Sequence, residues 1–225
     1  MEISIQQRIL ATNEALAARI RDRLRASGCF VVNLISSPGA GKTSLLECTA
    51  DILLALPEPL PFAVIEGDIA TEQDADRVRR RGIPAVQVIT KGDCHLDARM
   101  VAEALDRLAE QTDLARLKLL IIENVGNLVC PTEFDLGEDA KVVVSSVPEG
   151  DDKPSKYPAT FLNARAMVVN KIDLLPYVDC DINRLIGDAK AINGDLAVFA
   201  LSCRTGEGLG AWIDWLLAGA SRRHD

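Results

Sequence analysis

The run Ser36-Ser37-Pro38-Gly39-Ala40-Gly41-Lys42-Thr43 has the residue types of a socket for nucleoside-triphosphate phosphates. Gly39, Ala40 and Gly41 are small enough for successive backbone N–H groups to curl around a β-phosphate, while the helix after them presents its positive end to the same charge. Lys42 is placed to reach the β- and γ-phosphates, the Thr43 hydroxyl to take one position on Mg²⁺, and Ser44 to continue the helix. The pattern G-x-x-x-x-G-K-[ST] is met except at its first glycine, where Ser36 stands. A second group, Asn170-Lys171-Ile172-Asp173, directly succeeds the apolar run Ala166-Met167-Val168-Val169. A carboxylate at Asp173 can accept both N1–H and the exocyclic amine of guanine, and adenine offers no such donor pair. Sites that leave a buried polar group unpaired against the wrong base discriminate by about 10⁴-fold or more. Downstream, Ser202-Cys203-Arg204 closes another apolar run and stands where a backbone loop would meet the guanine oxygen. The three groups in this order favour GTP over ATP.

The hydrolytic groups are less explicit. The run Leu119-Leu120-Ile121-Ile122 ends in Glu123-Asn124-Val125-Gly126-Asn127, so Glu123 is the expected carboxylate for Mg²⁺, directly or through water. Asp68, in Glu66-Gly67-Asp68, and Asp74 are candidates to orient the attacking water or complete the Mg²⁺ shell, and either could instead be a helix-start carboxylate. No glutamine stands out as a water-positioning residue. The expectation is a slow intrinsic GTPase that a second subunit or partner accelerates, since charge supplied in trans is worth roughly 10³ to 10⁵ in rate. A separate constellation, Cys94-His95 and Cys130, lies after two apolar runs of the same sheet. Two thiolates and an imidazole suit Ni²⁺ or Zn²⁺, and three protein ligands leave a coordination position open for exchange.

These groups require an alternating scaffold. Apolar stripes at Ile5, Ile9, Leu10, Leu16, Ile20 and Leu24 predict an N-terminal helix over about residues 3–27. Strands are predicted at 30–35, 62–65, 85–89, 117–122, 142–144, 166–169 and 196–201, with helices at 71–81, 97–112, 182–193 and 209–220. Such alternation implies an α/β fold, a mainly parallel sheet with helices on both faces, in one GTP-binding domain spanning 1–225. The polar, proline-broken stretch 148–158 reads as a mobile surface loop or an inert connector. At 225 residues and 48% hydrophobic content the chain can bury a full core. A net charge of −8 argues against nucleic acid as a partner, and Arg79-Arg80-Arg81 reads as a solvated helix face. No run approaches the roughly 20 residues of a membrane span, and the N-terminus lacks a signal-peptide core, so the expected location is cytoplasmic. The six cysteines are then expected to be free thiols.

Gly-Asp-Cys-His-Leu-Asp-Ala-Arg-Met (92–100), Glu-Asn-Val-Gly-Asn-Leu-Val-Cys-Pro (123–131) and Asn-Lys-Ile-Asp-Leu-Leu (170–175) resemble the hydrogenase nickel-incorporation GTPases of the HypB type, over nearly the whole chain. The resemblance implies a P-loop NTPase three-layer fold of the SIMIBI class. It also implies GTP hydrolysis, GTP-dependent homodimerisation, and delivery of nickel to the large subunit of [NiFe]-hydrogenase together with other maturation factors. Cys94, His95 and Cys130 would bind nickel or zinc at or near the dimer interface. Lys153 and Lys156 would lie on a loop reaching the partner's nucleotide, Lys156 being the better candidate. The N-terminal segment that begins Met1-Glu2-Ile3-Ser4-Ile5 has neither the Cys-rich nor the His-rich nickel motif of some members, so nickel storage is not expected. Two alternatives stay open: a urease-type nickel chaperone, whose metal motif resembles Cys-Pro-His where this chain has Cys94-His95-Leu96, and a metal-binding interaction module with weak GTPase activity.

Overall fold

The computed structural model describes residues 5–68 and 73–222, without the side chains of residues 5, 6 and 73–75. Seven strands form one parallel sheet: β1 (Phe30–Ser36), β2 (Phe62–Asp68), β3 (Ala85–Ile89), β4 (Leu119–Gly126), β5 (Ala140–Ser146), β6 (Ala166–Asn170) and β7 (Ala197–Ala200), in the spatial order β3-β2-β4-β1-β5-β6-β7. The inner strands are buried on both faces, which is why they read as continuous Val, Ile and Leu runs rather than alternating ones.

Strand alternation then sends neighbouring residues to opposite layers. Val64 and Ile121 join a core beneath α2 (Lys42–Leu54) and α9 (Leu209–Ser221). Their chain neighbours Ile65 and Ile122 enter a second core under α1 (Ile5–Arg25) and α4 (Ala98–Ala109). A third core lies under α8 (Ile182–Ile192). Helix α4 shows the local logic. Asp97 caps it by accepting from Met100 N–H, and Val101, Ala104, Leu105 and Leu108 fall on one buried stripe. Each fully buried Val or Leu contributes about 1.5–3 kcal/mol relative to exposure.

Most expected elements are present, with shifted ends. β2 runs three residues past Ile65 to Asp68, and β4 runs past Ile122 to Gly126, because pairing with neighbouring strands continues through their polar ends. Three expectations are corrected. Ile9 does not join the apolar stripe of α1 but is 53% exposed, and burial of that helix is concentrated at Ala17, Ile20 and Leu24. The stretch 148–158 is not a loose loop. It folds as a 3₁₀ turn closed by a capping box between Ser146 and Glu149, then as α6 (Lys153–Lys156) and the start of α7 (Pro158–Leu162). Its prolines sit in first turns, where a missing N–H costs nothing, and Pro154 is buried. The basic segment at the end of α3 (Gln73–Arg79) is more than a solvated face: Arg77 and Arg81 both pair with Glu47, and Arg81 also with Asp51, tying that segment to α2.

Candidate functional site: a nucleotide cradle and a thiol–imidazole cluster

The phosphate loop joins β1 to α2 at the carboxyl edge of the sheet. Gly39 and Gly41 have φ of +78° and +98°, values that L side chains rarely adopt. A Cβ on Gly41 would also lie 2.5 Å from Asn170 Nδ2, so only glycine lets the loop approach the base-reading segment. Ser36 lies inside β1 with no left-handed backbone, which explains why the motif's first glycine is dispensable here. Lys42 Nζ donates to Ser36 Oγ at 2.7 Å. Thr43 Oγ1 donates to Glu123 Oε1 at 2.9 Å, so the expected hydroxyl and carboxylate for Mg²⁺ are adjacent. No side chain caps the start of α2, leaving its first N–H groups for an anionic ligand. This donor set suits a Mg²⁺-triphosphate.

The base-reading groups are also assembled. Asn170 Nδ2 donates to Ala40 O at 3.2 Å, and its Oδ1 accepts from Lys171 N–H and Cys203 N–H. Lys171 holds a left-handed φ of 63° and donates to Gly39 O at 2.7 Å, clamping the phosphate loop. Ser202 Oγ donates to Asp173 Oδ1 at 2.6 Å and accepts from Arg204 and Thr205 N–H, fixing the carboxylate that would read guanine. A cleft of about 280 Å³ lies between Ser44, Asn170, Lys171, Asp173, Cys203 and Arg204.

Cys94, His95 and Cys130 converge. Their ligand atoms all lie within 4.8 Å of one another, and each residue is half-buried. Cys94 and His95 sit in the loop between β3 and α4, and Cys130 opens the short α5 (Cys130–Glu133). A shared hydrogen bond with Cys130, reinforced by burial, pushes the Cys94 thiol up. Burial pulls His95 down against the opposing charges of Asp93 and Asp97, which favours the neutral imidazole that a metal needs. Phe134 lies against the His95 ring with centroids 4.0 Å apart and fixes its plane. Sequence reasoning misses Phe134, since a lone aromatic after Cys130 carries no spacing signal.

The other expected residues divide. Asp68 ends β2 on the same sheet face as Glu66 and Glu123, with Glu66 and Glu123 in register. The buried Glu66 is legible in the sequence only as part of Glu66-Gly67-Asp68. Asp74 lies on α3 and its side chain is outside the described residues. Lys156 is not in this cradle: it is exposed and pairs with Asp152 at 2.6 Å. Lys153 instead reaches the chain's own phosphate loop, donating to Ser37 Oγ at 3.4 Å.

Comparison with known proteins gives the family and the fold. Residues 30–200 match the family described as CobW/HypB/UreG, nucleotide-binding domain. The hydrogenase maturation factor HypB of Azotobacter vinelandii is 51% identical over 95% of this chain and 68% of its own length. The chain belongs to the HypB family. The crystal structure of HypB from Helicobacter pylori in complex with nickel superposes with a TM-score of 0.87 at 37% identity, covering 94% of this chain and 96% of that one. The signal recognition particle receptor FtsY from Elizabethkingia anophelis shares the fold alone, with a TM-score of 0.53 at 14% identity over 89% of this chain and 72% of that chain. As a member of this family the chain carries a P-loop nucleotide-binding fold, and among its described residues no helix is long and apolar enough to cross a membrane.

Proposed function

We propose that this chain hydrolyses GTP to GDP and phosphate, and that it carries nickel for the maturation of [NiFe]-hydrogenase, with GTP-dependent homodimerisation coupled to occupancy of the Cys94, His95 and Cys130 cluster. One observation carries the reading: β4 holds Glu123 against Thr43 of the phosphate loop and leads within four residues of its end to Cys130 of the cluster. Whatever shifts the end of β4 is felt at both.

In this reading Lys42 neutralises the β- and γ-phosphates, and the N–H groups at the start of α2 bind the β-phosphate oxygens. Thr43 and Glu123 would hold Mg²⁺, which screens the charge that develops as the γ-phosphoryl group leaves. Asp68 and Asp74 are proposed to orient water, and Asp173, with the backbone after Ser202, to select guanine. Lys156, exposed on α6, is the group offered to a second subunit. Cys94, His95 and Cys130 take nickel as cargo, and zinc fits the same ligands. Intrinsic turnover is slow because the cations at the phosphate loop are Lys42, Lys171 and Lys153, while Arg204 lines the cleft at its base-reading end. The physiological partners are other hydrogenase maturation factors and the enzyme's large subunit, and the compartment is the cytoplasm.

The test is size-exclusion chromatography with light scattering, with GDP or a non-hydrolysable GTP analogue, each with and without Ni²⁺ or Zn²⁺. A dimer is expected only with the analogue, and Lys42→Ala is expected to lose both that dimer and GTP turnover while the monomer still binds metal. A monomer under every condition, with no turnover by the unaltered chain, would sink the reading.

A further inference from the structure

The ends of β2 and β4 divide their side chains between two layers. Glu123 faces the phosphate loop and Asp68 lies on the same sheet face, while their chain neighbours Asn124 and Gly67 face the opposite layer, where the loop carrying Cys94 and His95 is packed. The residue after His95, Leu96, is fully buried and held at both points. Its N–H donates to Asn124 Oδ1 at 3.0 Å. Its side chain lies so close over Gly67 that a Cβ there would meet Leu96 Cγ at 2.8 Å.

Asn124 itself is 1% exposed and its orientation is over-determined. Oδ1 accepts from both Leu96 N–H and Val125 N–H, at 3.0 Å each, and only the carbonyl end of the amide can do that. Its Nδ2 donates to Asn33 Oδ1 of β1 at 3.2 Å, and Asn33 Nδ2 donates in turn to Glu138 Oε1 at 3.4 Å. Two buried amides joined end to end, one of them accepting twice, form a stiff link, so a displacement of β4 is passed on rather than absorbed.

We propose that Asn124 is the positioning residue that transmits the state of the nucleotide site to the nickel ligands, by fixing Leu96, and with it His95 and Cys94, to the strand that carries Glu123. The inference rests on the coupled reading of the site given above. A change in what Glu123 contacts moves β4 and hence the amide on its other face. Leu96 N–H moves with it, and the distance from Cys94 and His95 to Cys130 changes. Nickel affinity then differs between nucleotide states, and nucleotide affinity differs by the same factor when nickel is bound.

The measurement is the dissociation constant of Ni²⁺, by competition with a chromophoric chelator, in the presence of Mg²⁺ with GDP and with a non-hydrolysable GTP analogue. For the unaltered chain the two constants are expected to differ by about 5- to 150-fold. In Asn124→Ala the ratio is expected to collapse to about 1, whereas Asn124→Asp, which keeps an oxygen for Leu96 N–H, retains most of it. A residue that merely supports the loop would weaken nickel equally in both states, and an Asn124→Ala protein with the full ratio would overturn the proposal. Should Asn124→Ala not fold, hydrogen exchange of the Leu96 amide in the unaltered chain decides: protection must differ between the two nucleotide states, and an identical rate overturns the assignment. Equal nickel affinities in the unaltered chain would instead bring down the coupled reading itself.

Discussion

Two pairs of neighbouring thiols flank the nucleotide site, and only one of them has the makings of a metal centre. Cys48 on α2 donates to Cys203 O at 3.3 Å beneath the base-reading loop, and burial, then the Cys48 thiol beside it, pushes Cys203 up to about 12. Cys94 and Cys130 are likewise adjacent, but an imidazole stands within 4.8 Å of both and all three are half-open to solvent. Proximity of sulfur atoms is therefore not what makes a soft-metal site. A third ligand, a route to solvent and a tolerable cost of losing protons are needed as well, and the pair under the base pocket lacks the third ligand among the described residues.

The largest effect expected from this contrast is in thiol reactivity. Cys203 is an acid whose value in the folded chain lies above the ordinary 9.0, so it stays neutral as pH rises and releases its proton only toward about 12. Its thiolate population at pH 8 is about a thousandfold below that of a free thiol, and carbamidomethylation mapped by mass spectrometry should find it almost unmodified in the native protein and modified on unfolding. Rapid native labelling of Cys203 would erase the distinction.

Removing one sulfur from each pair sharpens it further. Cys130→Ala should weaken nickel by more than about 100-fold, since loss of a supporting hydrogen bond alone costs about 10- to 100-fold. Cys203→Ala should leave nickel affinity unchanged by the same chelator competition. If both substitutions weaken nickel alike, the two pairs share the ion.

Within the base pocket, Asp173→Asn should lower GTP affinity by about 5- to 150-fold, the cost of setting an amide donor against one of guanine's two N–H donors, while xanthosine triphosphate, whose 2-carbonyl can accept from that amide, should lose no affinity. Equilibrium binding of a fluorescent analogue reads it, and equal losses for both bases would argue against a guanine role. The smallest effect belongs to Gly39→Ala. With φ of +78° and nothing within 4 Å of the added methyl, it should cost about 1–2 kcal/mol of backbone strain, seen as a modest fall in Tm. Gly41→Ala should cost more, because its methyl also strikes Asn170.

The two centres are not equally legible in the sequence. The phosphate loop is eight contiguous residues whose backbone conformations are set by their own glycines and by the strand and helix on either side. Local steric rules suffice to read it. The base-reading groups are two short segments after two strands, and the order of elements is enough to bring them together. The stretch 148–158 misleads because proline and charge mark a break in long elements, while one-turn helices tolerate both and are held by packing against α8.

What the sequence determined by itself is therefore everything carried by short-range sterics and strand periodicity: the parallel sheet, the phosphate loop, and the residue types at Asp173 and at Cys94, His95 and Cys130 that make them candidates for guanine and for a soft metal. What only the tertiary structure decided is which side of a strand each polar residue serves. Glu123 and Asn124 are adjacent letters in the chain, yet the pleat sends one to Thr43 and the other to Leu96. The packing of β2 and β4 side by side, a contact between residues more than fifty positions apart, sets the two centres back to back across one sheet.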